Sequence, residues 1–537
     1  MTRRPIARVA TIAIAAAAAI GLAACSQDFL TESPPHIITA ENLYTDSTGF
    51  EAALNALYAQ VREERYGIND SKNDLRMTAM VEGTDNAWGN YVAPTQRIFD
   101  EWGDDRNNSQ NGVYLDLWSW LYTTINGANA IIGRADNPNI KWSEPTRNRI
   151  VAEARLIRAW CYRHLTYLWG PVPLNLVEST GDNIRTDWSR APLDSVFAQM
   201  KEDLKFAEAN LPETSNDPGK LVKAVAQHYL AELYLRTNQP DSAEIEASAV
   251  INSGLYSLIT NRYGVNATQP GVPFMDQFMD GNVNRDQGNT EVLWAWQYQE
   301  ATTGGGASIM RRDWVNRYYN IKGVAVAREN GGRGIGRLAP TAWAINLYEP
   351  GDDRGSIYAI RKFYLYNDSA NLPAGKQLGD TVFLSWTTEK KSSSKWPSTR
   401  KWDWVSSIDP TGDETFGDQP YLRLAETYLL LAEAQFDEGK LAEAANTLNV
   451  LRARAHASPI TASDVTIDFI LDERSRELLC EGERRYALLR THKWLERTRL
   501  YNPIAGPNIT EKDTLYPIPQ KVIDANLGAP MPQNPGY

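Results

Sequence analysis

YLRLAETYLLLAEAQFDEGKLAEAANTLNVLRARA, residues 421–455, carries the apolar spacing from which the fold can be read. From Tyr421 onward, Leu424, Ala425, Tyr428, Leu431 and Ala432 recur at helical intervals. Leu422, Leu429 and Leu430 carry the apolar surface round the other side, so this helix needs neighbours on more than one face. Gly439 can take the left-handed conformation that closes a helix, and Leu441, Ala444, Ala445, Leu448 and Leu451 form a second stripe. The product is an antiparallel helix hairpin of one tetratricopeptide length, roughly 34 residues. A second copy lies at residues 221–253. There Ala231-Glu232 and Ala243 stand as Ala432-Glu433 and Ala444 do, an aromatic (Tyr229, Tyr428) precedes each pair by about three positions, and Asn238-Gln239-Pro240 makes the break.

A chain of 537 residues, 42% hydrophobic, can bury a large core, as one domain with an inserted lobe or as two tightly joined lobes. Its net charge of -11 makes nucleic acid an unsuitable partner. Seventeen Trp and twenty-five Tyr supply flat amphipathic rings for either cores or ligand platforms.

The N-terminus has the form of a secretory signal: basic Arg3, Arg4 and Arg8, then an apolar run over residues 9–22 too short to span a bilayer comfortably. Leu22-Ala23-Ala24-Cys25 resembles a bacterial lipobox, which makes Cys25 the first mature residue and the point of lipid attachment. The alternative is a signal cut at a small-residue site without lipidation. Ser26, where sorted lipoproteins retained inside carry Asp, favours the outer membrane. Cys161 and Cys480 fall within predicted helices and are expected to be small buried thiols.

The spacing predicts helices over residues 43–62, 75–83, 114–132, 150–168 and 193–209. The stretch GTDNAWGNYVAPTQRIFDEW, residues 83–102, is rich in Gly, Asn and aromatics and is expected to be a surface excursion. Near residue 260 the character changes. Residues 261–416 are Gly-, Asn- and Trp-rich, with short alternating runs. EVLWAWQY should be a strand with Val292, Trp294, Trp296 and Tyr298 on its buried side, and short strands are expected within 357–366 and 382–386. Seven prolines after residue 502 predict an extended tail without regular helix.

Enzyme signatures are missing: there is no HExxH and no GxSxG, and the Gly334-Ile335-Gly336 run with Ala339 is stopped by Pro340. No organic cofactor is therefore expected. Asp280, Asn282, Asn284 and Glu291 occupy positions 1, 3, 5 and 12 of an EF-hand-like loop and are a candidate calcium ligand set, although Arg285 stands where such a loop needs Gly. Glu473, Arg474, Glu477, Glu481 and Arg485 are expected to pair structurally rather than to catalyse.

YLRLAETYLLLAEA, LNVLRARA, ERSRELLCEGERRYALLR, LYPIP and the terminal QNPGY together resemble the SusD/RagB family of outer-membrane nutrient-binding lipoproteins. DFLTESP after the lipobox and AEARLIRAWCYRHLTYLWGPVPL agree with it, so the resemblance runs through the mature chain. One departure is the lack of the acidic run that often follows the lipidated Cys in such proteins. The resemblance implies a mainly α fold, a scaffold of four tetratricopeptide-like helix pairs with an inserted irregular lobe. It implies a non-enzymatic protein at the cell exterior that captures an oligosaccharide and passes it to a SusC-like TonB-dependent transporter. A peptide or other nutrient as ligand, a surface glycosidase and a tetratricopeptide adaptor stay open as alternatives. Recognition residues in the family come from the loop after the first helices and from the inserted lobe. Here these offer Trp88, Asn90 and Tyr91, and then Trp314, Tyr318 and Tyr319 beside Arg311, Arg312 and Asp313. The expected organisation is a signal peptide (1–24), a lipidated tether (25–40), an N-terminal helical scaffold (41–260), the inserted lobe (261–416) and a C-terminal hairpin, charged helix and Pro-rich tail (417–537).

Overall fold

The computed structural model describes residues 40–65, 75–90, 97–386, 392–403, 405, 411–412 and 415–537. The expectations for the signal peptide, Cys25 and Tyr91 lie outside these residues. Eight long helices set the architecture: α1 (Ser47–Arg62), α2 (Gly112–Arg134), α3 (Glu144–Trp169), α4 (Leu193–Asn210), α5 (Lys223–Arg236), α6 (Pro240–Ile251), α7 (Leu424–Asp437) and α8 (Leu441–Arg454). Each packs on the next in the series, and α6 meets α7 although the whole lobe separates them in sequence. This makes four consecutive helix pairs, a tetratricopeptide-like array in a mainly α chain. After it come α9 (Ile467–Leu478), a short helix Arg484–Arg490, and α10 (Trp494–Tyr501).

Local chemistry fixes the ends. Asp46 caps α1 by accepting from the Gly49 amide, Ser143 caps α3 with Pro145 in its first turn, and Gly439 turns from α7 to α8 at φ +75°. Both predicted hairpins form, with Asn238 at φ 55° making the earlier turn. Residues 421–423 do not belong to α7. They end strand β8 (Gln419–Arg423), which pairs antiparallel with the predicted strand, β2 (Val292–Trp296). All five β2 residues are buried, so the expected half-exposed alternation is replaced by a strand covered on both sides.

The remaining strands are short antiparallel pairs: β1 (Ala87–Gly89) with β3 (Leu338–Pro340), β4 (Ile360–Arg361) with β7 (Ser398–Thr399), and β5 (Phe363–Leu365) with β6 (Thr381–Phe383). Residues 83–90 are not a surface excursion. The Asp85 carboxylate is wholly buried, accepting two hydrogen bonds from Arg484 (2.8 and 2.7 Å) and one from Arg497 (2.8 Å). Cys161 and Cys480 are free and buried as expected, but Cys480 lies beyond α9 with φ 65°. The tail crosses α3, with the Tyr516 amide donating to the Leu168 carbonyl (2.7 Å) and Trp169 Nε1 to that of Pro517 (2.9 Å). Despite its prolines it forms a helix of six residues, Gln520–Ala525, started by Pro519 at the position before the first turn.

The C-terminal charges pair as expected, inside the protein. Arg354, Lys401, Arg423, Arg452 and Arg454 interleave with Glu291, Asp352, Glu473, Glu477 and Glu481, all of them buried. Burial alone would raise the Glu477 carboxyl; the Arg454, Arg423 and Arg354 guanidiniums overcome it and hold it well below the carboxylate range. Arg485 is the exception in the predicted set, donating to the Asp513 carbonyl (2.6 Å) in the tail.

His228, on α5, gives a pH dependence. Its Nδ1 lies 2.9 Å from the Thr427 hydroxyl of α7, and the ring is buried. Burial drives its pKa down to about 4, over the opposing pull of Glu426 and Glu232 and with help from Arg163 and Arg474. The folded state therefore holds a neutral imidazole while the unfolded chain takes a proton near pH 6.5, so stability is full above 6.5 and is lost as pH falls toward 4. At ~1.4 kcal/mol per unit the loss reaches roughly 3 kcal/mol. Urea midpoints measured from pH 7 to 4.5 should fall less steeply for His228→Gln than for the wild type; equal slopes would contradict the assignment.

Candidate functional site

The two stretches expected to meet ligand are brought together by the fold. Trp88 lies on β1, β1 pairs with β3, and β3 packs on the short helix Met310–Trp314 that carries Arg311, Arg312, Asp313 and Trp314. Residues 392–396 close over this junction. Asn90 Nδ2 donates to the Ser392 carbonyl (3.0 Å), the Arg317 amide to that of Ser393 (2.7 Å), and Asn316 Nδ2 to that of Trp396. Trp396 in turn packs on Trp88, ring centroids 4.9 Å apart, with its Nε1 bonded to the Pro340 carbonyl (2.8 Å).

Most of the expected platform residues are core. Trp88 is 0% exposed, Trp314 1% and Tyr318 0%, so none of these rings offers a face to a ligand. The reason is local: β1 turns Trp88 onto Ala339, Ile345 and Trp396, while Tyr318 stacks on Tyr364 at 4.7 Å and donates its hydroxyl to the Gly332 carbonyl (2.6 Å). Arg311, Arg312 and Asp313 are buried too, with Arg311 Nη2 donating to the Gly412 carbonyl (2.6 Å). Of the described candidates, Asn90 and Tyr319 are half-buried, Tyr319 against the neighbouring cluster of Tyr318 and Tyr364.

The rim holds a residue that the sequence reading missed. Trp386 is half-buried, with its Nε1 fixed by Asn346 Oδ1 (2.8 Å) and the Lys362 ammonium 6.0 Å from its ring. The Ser385 amide next to it reaches the Lys395 carbonyl at 3.4 Å, which ties the ring to the covering segment. Ser392, Ser393, Ser394 and Lys395 are half-buried or exposed. The outer surface of the junction thus offers one partly open ring, three serine hydroxyls and an ammonium. Rings take the C–H face of a sugar while such polar groups bond its hydroxyls, without deep burial of either partner. The signal available in the sequence was the serine run between Trp386 and Trp396. A separate cleft of about 550 Å³ on the same lobe is lined by polar Asn266, Gln269, Arg328, Glu329 and Arg400 and by the half-buried Tyr358.

The expected calcium ligands do not converge. Asn282 bonds the Val265 amide (2.8 Å) and the Asp276 carbonyl (3.0 Å), Asn284 bonds Asp418 (2.8 Å), and Glu291 is taken by Arg423 (2.5 Å) and Arg454 (2.9 Å). Asp280 alone of the four is exposed. A carboxylate held by two guanidiniums is a poor cation ligand, and the spacing of these residues serves a loop that enters β2.

Comparison with known proteins accounts for this architecture. A sequence model of the SusD family matches residues 290–537, and one described as "Starch-binding associating with outer membrane" matches residues 28–235. SusD-like protein P2 of Formosa agariphila is 26% identical over 540 residues, covering 96% of this chain and 97% of that one. The starch-binding protein SusD of Bacteroides thetaiotaomicron is 28% identical over 440 residues, 74% of each chain. Among solved structures, a laminarin-binding SusD-like protein superposes with a TM-score of 0.71 at 20% identity, over 91% of this chain and 99% of its own. Surface glycan-binding protein A of Bacteroides fluxus gives 0.69 at 19%, again over 91% and 99%. With matches over both halves of the sequence and the same fold throughout, the chain belongs to the SusD family.

Proposed function

We propose that this protein is a non-enzymatic glycan-binding lipoprotein of the outer membrane, anchored through Cys25, that captures an oligosaccharide at the cell exterior and delivers it to a SusC-like TonB-dependent transporter. The observation that carries the glycan reading is the rim of the junction, where the half-buried Trp386 ring is tied to the covering segment that presents the hydroxyls of Ser392, Ser393 and Ser394. Relatives named for starch, laminarin and surface-glycan binding support the ligand class. The family description associates its members with the outer membrane, and among the described residues no helix is long and apolar enough to cross a membrane.

The test is calorimetric titration of the mature chain with starch-derived and laminarin-derived oligosaccharides and with peptides, alongside a reducing-sugar assay. Binding of a glycan without release of reducing ends is expected. Release would make the protein a glycosidase, and affinity for peptides alone would replace the glycan by a peptide. Trp386→Ala should weaken glycan binding at least about tenfold, ~1.4 kcal/mol. Tyr358→Ala in the separate cleft should leave it unchanged; the reverse pattern would move the ligand into that cleft. Cys25→Ser should release the protein from the membrane fraction with binding intact, and a copurifying TonB-dependent barrel is expected with the native lipoprotein only.

A further inference from the structure

Three side chains from distant parts of the sequence meet inside the scaffold, away from the rim. Glu64 lies in the turn Glu63–Arg65 after α1, His164 on α3, and Glu483 in the turn that follows α9. Glu64 is 1% exposed and His164 0%, and each of the three presents one ligand atom within 4.8 Å of the other two. Among the described residues no other group of His, Cys, Asp and Glu side chains is arranged in this way. His164 Nε2 lies 3.8 Å from Glu64 Oε2 and 3.8 Å from Glu483 Oε1.

The hydrogen bonds around this point leave it short of positive charge. The Tyr421 hydroxyl lies 2.9 Å from Glu64 Oε2 and 3.1 Å from Glu483 Oε1, but it has one proton for two carboxylate oxygens. His164 Nε2 and Glu64 Oε1 have no hydrogen-bond partner, which buried polar atoms seldom tolerate. With a proton on Nε2, the carboxylate oxygens at 3.8 Å are too far to accept it; without one, its lone pair faces both. The nearby guanidiniums are shared with other acceptors. Arg163 bonds Glu483 Oε2 (2.5 Å) but also Glu232 (2.6 Å), and Arg65 donates to the Glu481 carbonyl (2.6 Å), 3.9 Å from Glu64 Oε1.

A metal ion answers that shortage. One imidazole nitrogen and two carboxylate oxygens form a donor set of the zinc type, whose bonds of ~2.1 Å at tetrahedral angles separate the ligands by roughly 3.4 Å. His164 Nε2 would need to approach each carboxylate oxygen by only a few tenths of an ångström, and the two carboxylate oxygens, which lie within 4.8 Å of each other, would close the rest. The outer groups are in place as well: His164 Nδ1 is 2.7 Å from the Tyr486 hydroxyl, a bond that can set the tautomer leaving Nε2 free to ligate. We propose that Glu64, His164 and Glu483 bind one divalent transition-metal ion of the zinc class, which ties the end of α1, the last turns of α3 and the turn after α9 together as a structural staple. The competing occupant is a proton on Glu64, whose carboxyl burial and the nearby Glu483 push up to about 8.

The test uses the mature full-length chain, unfolded with chelator and refolded with Co²⁺, with Zn²⁺ or without metal. Wild type should retain about one ion per chain by elemental analysis after desalting. The Co²⁺ form should show the visible absorption of a low-coordinate N,O site, and either metal should raise the thermal midpoint. His164→Asn and Glu64→Gln should each lose the ion, the absorption and the midpoint shift while keeping the wild-type far-ultraviolet circular dichroism. If His164→Asn does not fold, the near-isosteric Glu64→Gln carries the comparison. Refolded wild type holding no stoichiometric metal, or variants that keep it, would overturn the proposal in favour of the protonated carboxyl. Glycan affinity is read separately at the rim, so neither result depends on the other.

Discussion

Arg423→Met should lower the free energy of unfolding by about 3–5 kcal/mol, the cost of leaving buried charge without its partner. Arg423 is 1% exposed and its guanidinium is used on every edge. Nε and Nη2 grip the two oxygens of Glu481 (2.8 and 2.7 Å), and Nη1 reaches Glu291 (2.5 Å) and Glu477 (3.0 Å). Methionine fills a similar volume but returns none of these bonds. Arg454 still covers Glu291 and Glu477, and Lys401 still covers Glu481, so the network would be left with one carboxylate in excess. That imbalance, more than any single contact, is what destabilises. Adding Glu481→Gln restores the balance and should recover part of the loss, a coupling of about 1 kcal/mol or more between neighbours that share a partner. Urea midpoints of the wild type, both single variants and the double variant close the cycle. A wild-type midpoint for Arg423→Met would show that the charges are solvated instead.

This residue also shows where sequence and structure part. Arg423 sits in YLRLAE, whose apolar spacing runs on smoothly into α7, and periodicity assigns it to the helix. The backbone instead pairs with β2 up to Arg423, because a strand buried on both sides needs its hydrogen bonds met by β8. A one-dimensional pattern contains no term for a partner more than a hundred residues away. Gly439 and Asn238 were legible because their left-handed turns are local chemistry. The stretch around Asp85 was not, since what turns its polar, Gly-rich text inward is a pair of arginines from the other end of the chain, Arg484 and Arg497. The same limit governs the site. The sequence named the two stretches that the fold brings together, but the face each ring presents is set by the strand and by Trp396, which no spacing reveals. Trp386 was passed over because its value depends on staying partly open, a property of what does not pack against it.

Trp88 separates core from platform experimentally. Its indole is wholly buried between Ala339, Ile345 and Trp396, and its Nε1 makes no hydrogen bond, so packing is its contribution. Trp88→Ala should therefore destabilise the protein by about 3–5 kcal/mol through the cavity it leaves. Trp88→Phe keeps an aromatic ring against Trp396 and discards a donor that has no acceptor, so its cost should fall below ~2 kcal/mol. If Trp88 only supports the rim, Trp88→Phe should bind glycan within about twofold of wild type, under ~0.5 kcal/mol. Trp386→Ala should show the opposite profile, with a near-normal unfolding midpoint and weakened affinity, because a half-open ring loses little packing when removed. Measuring both variants by urea unfolding and by calorimetric titration places each on two axes. Loss of affinity in folded Trp88→Phe would mean that the ring turns outward to meet the ligand, and the junction would then be a site that opens on binding.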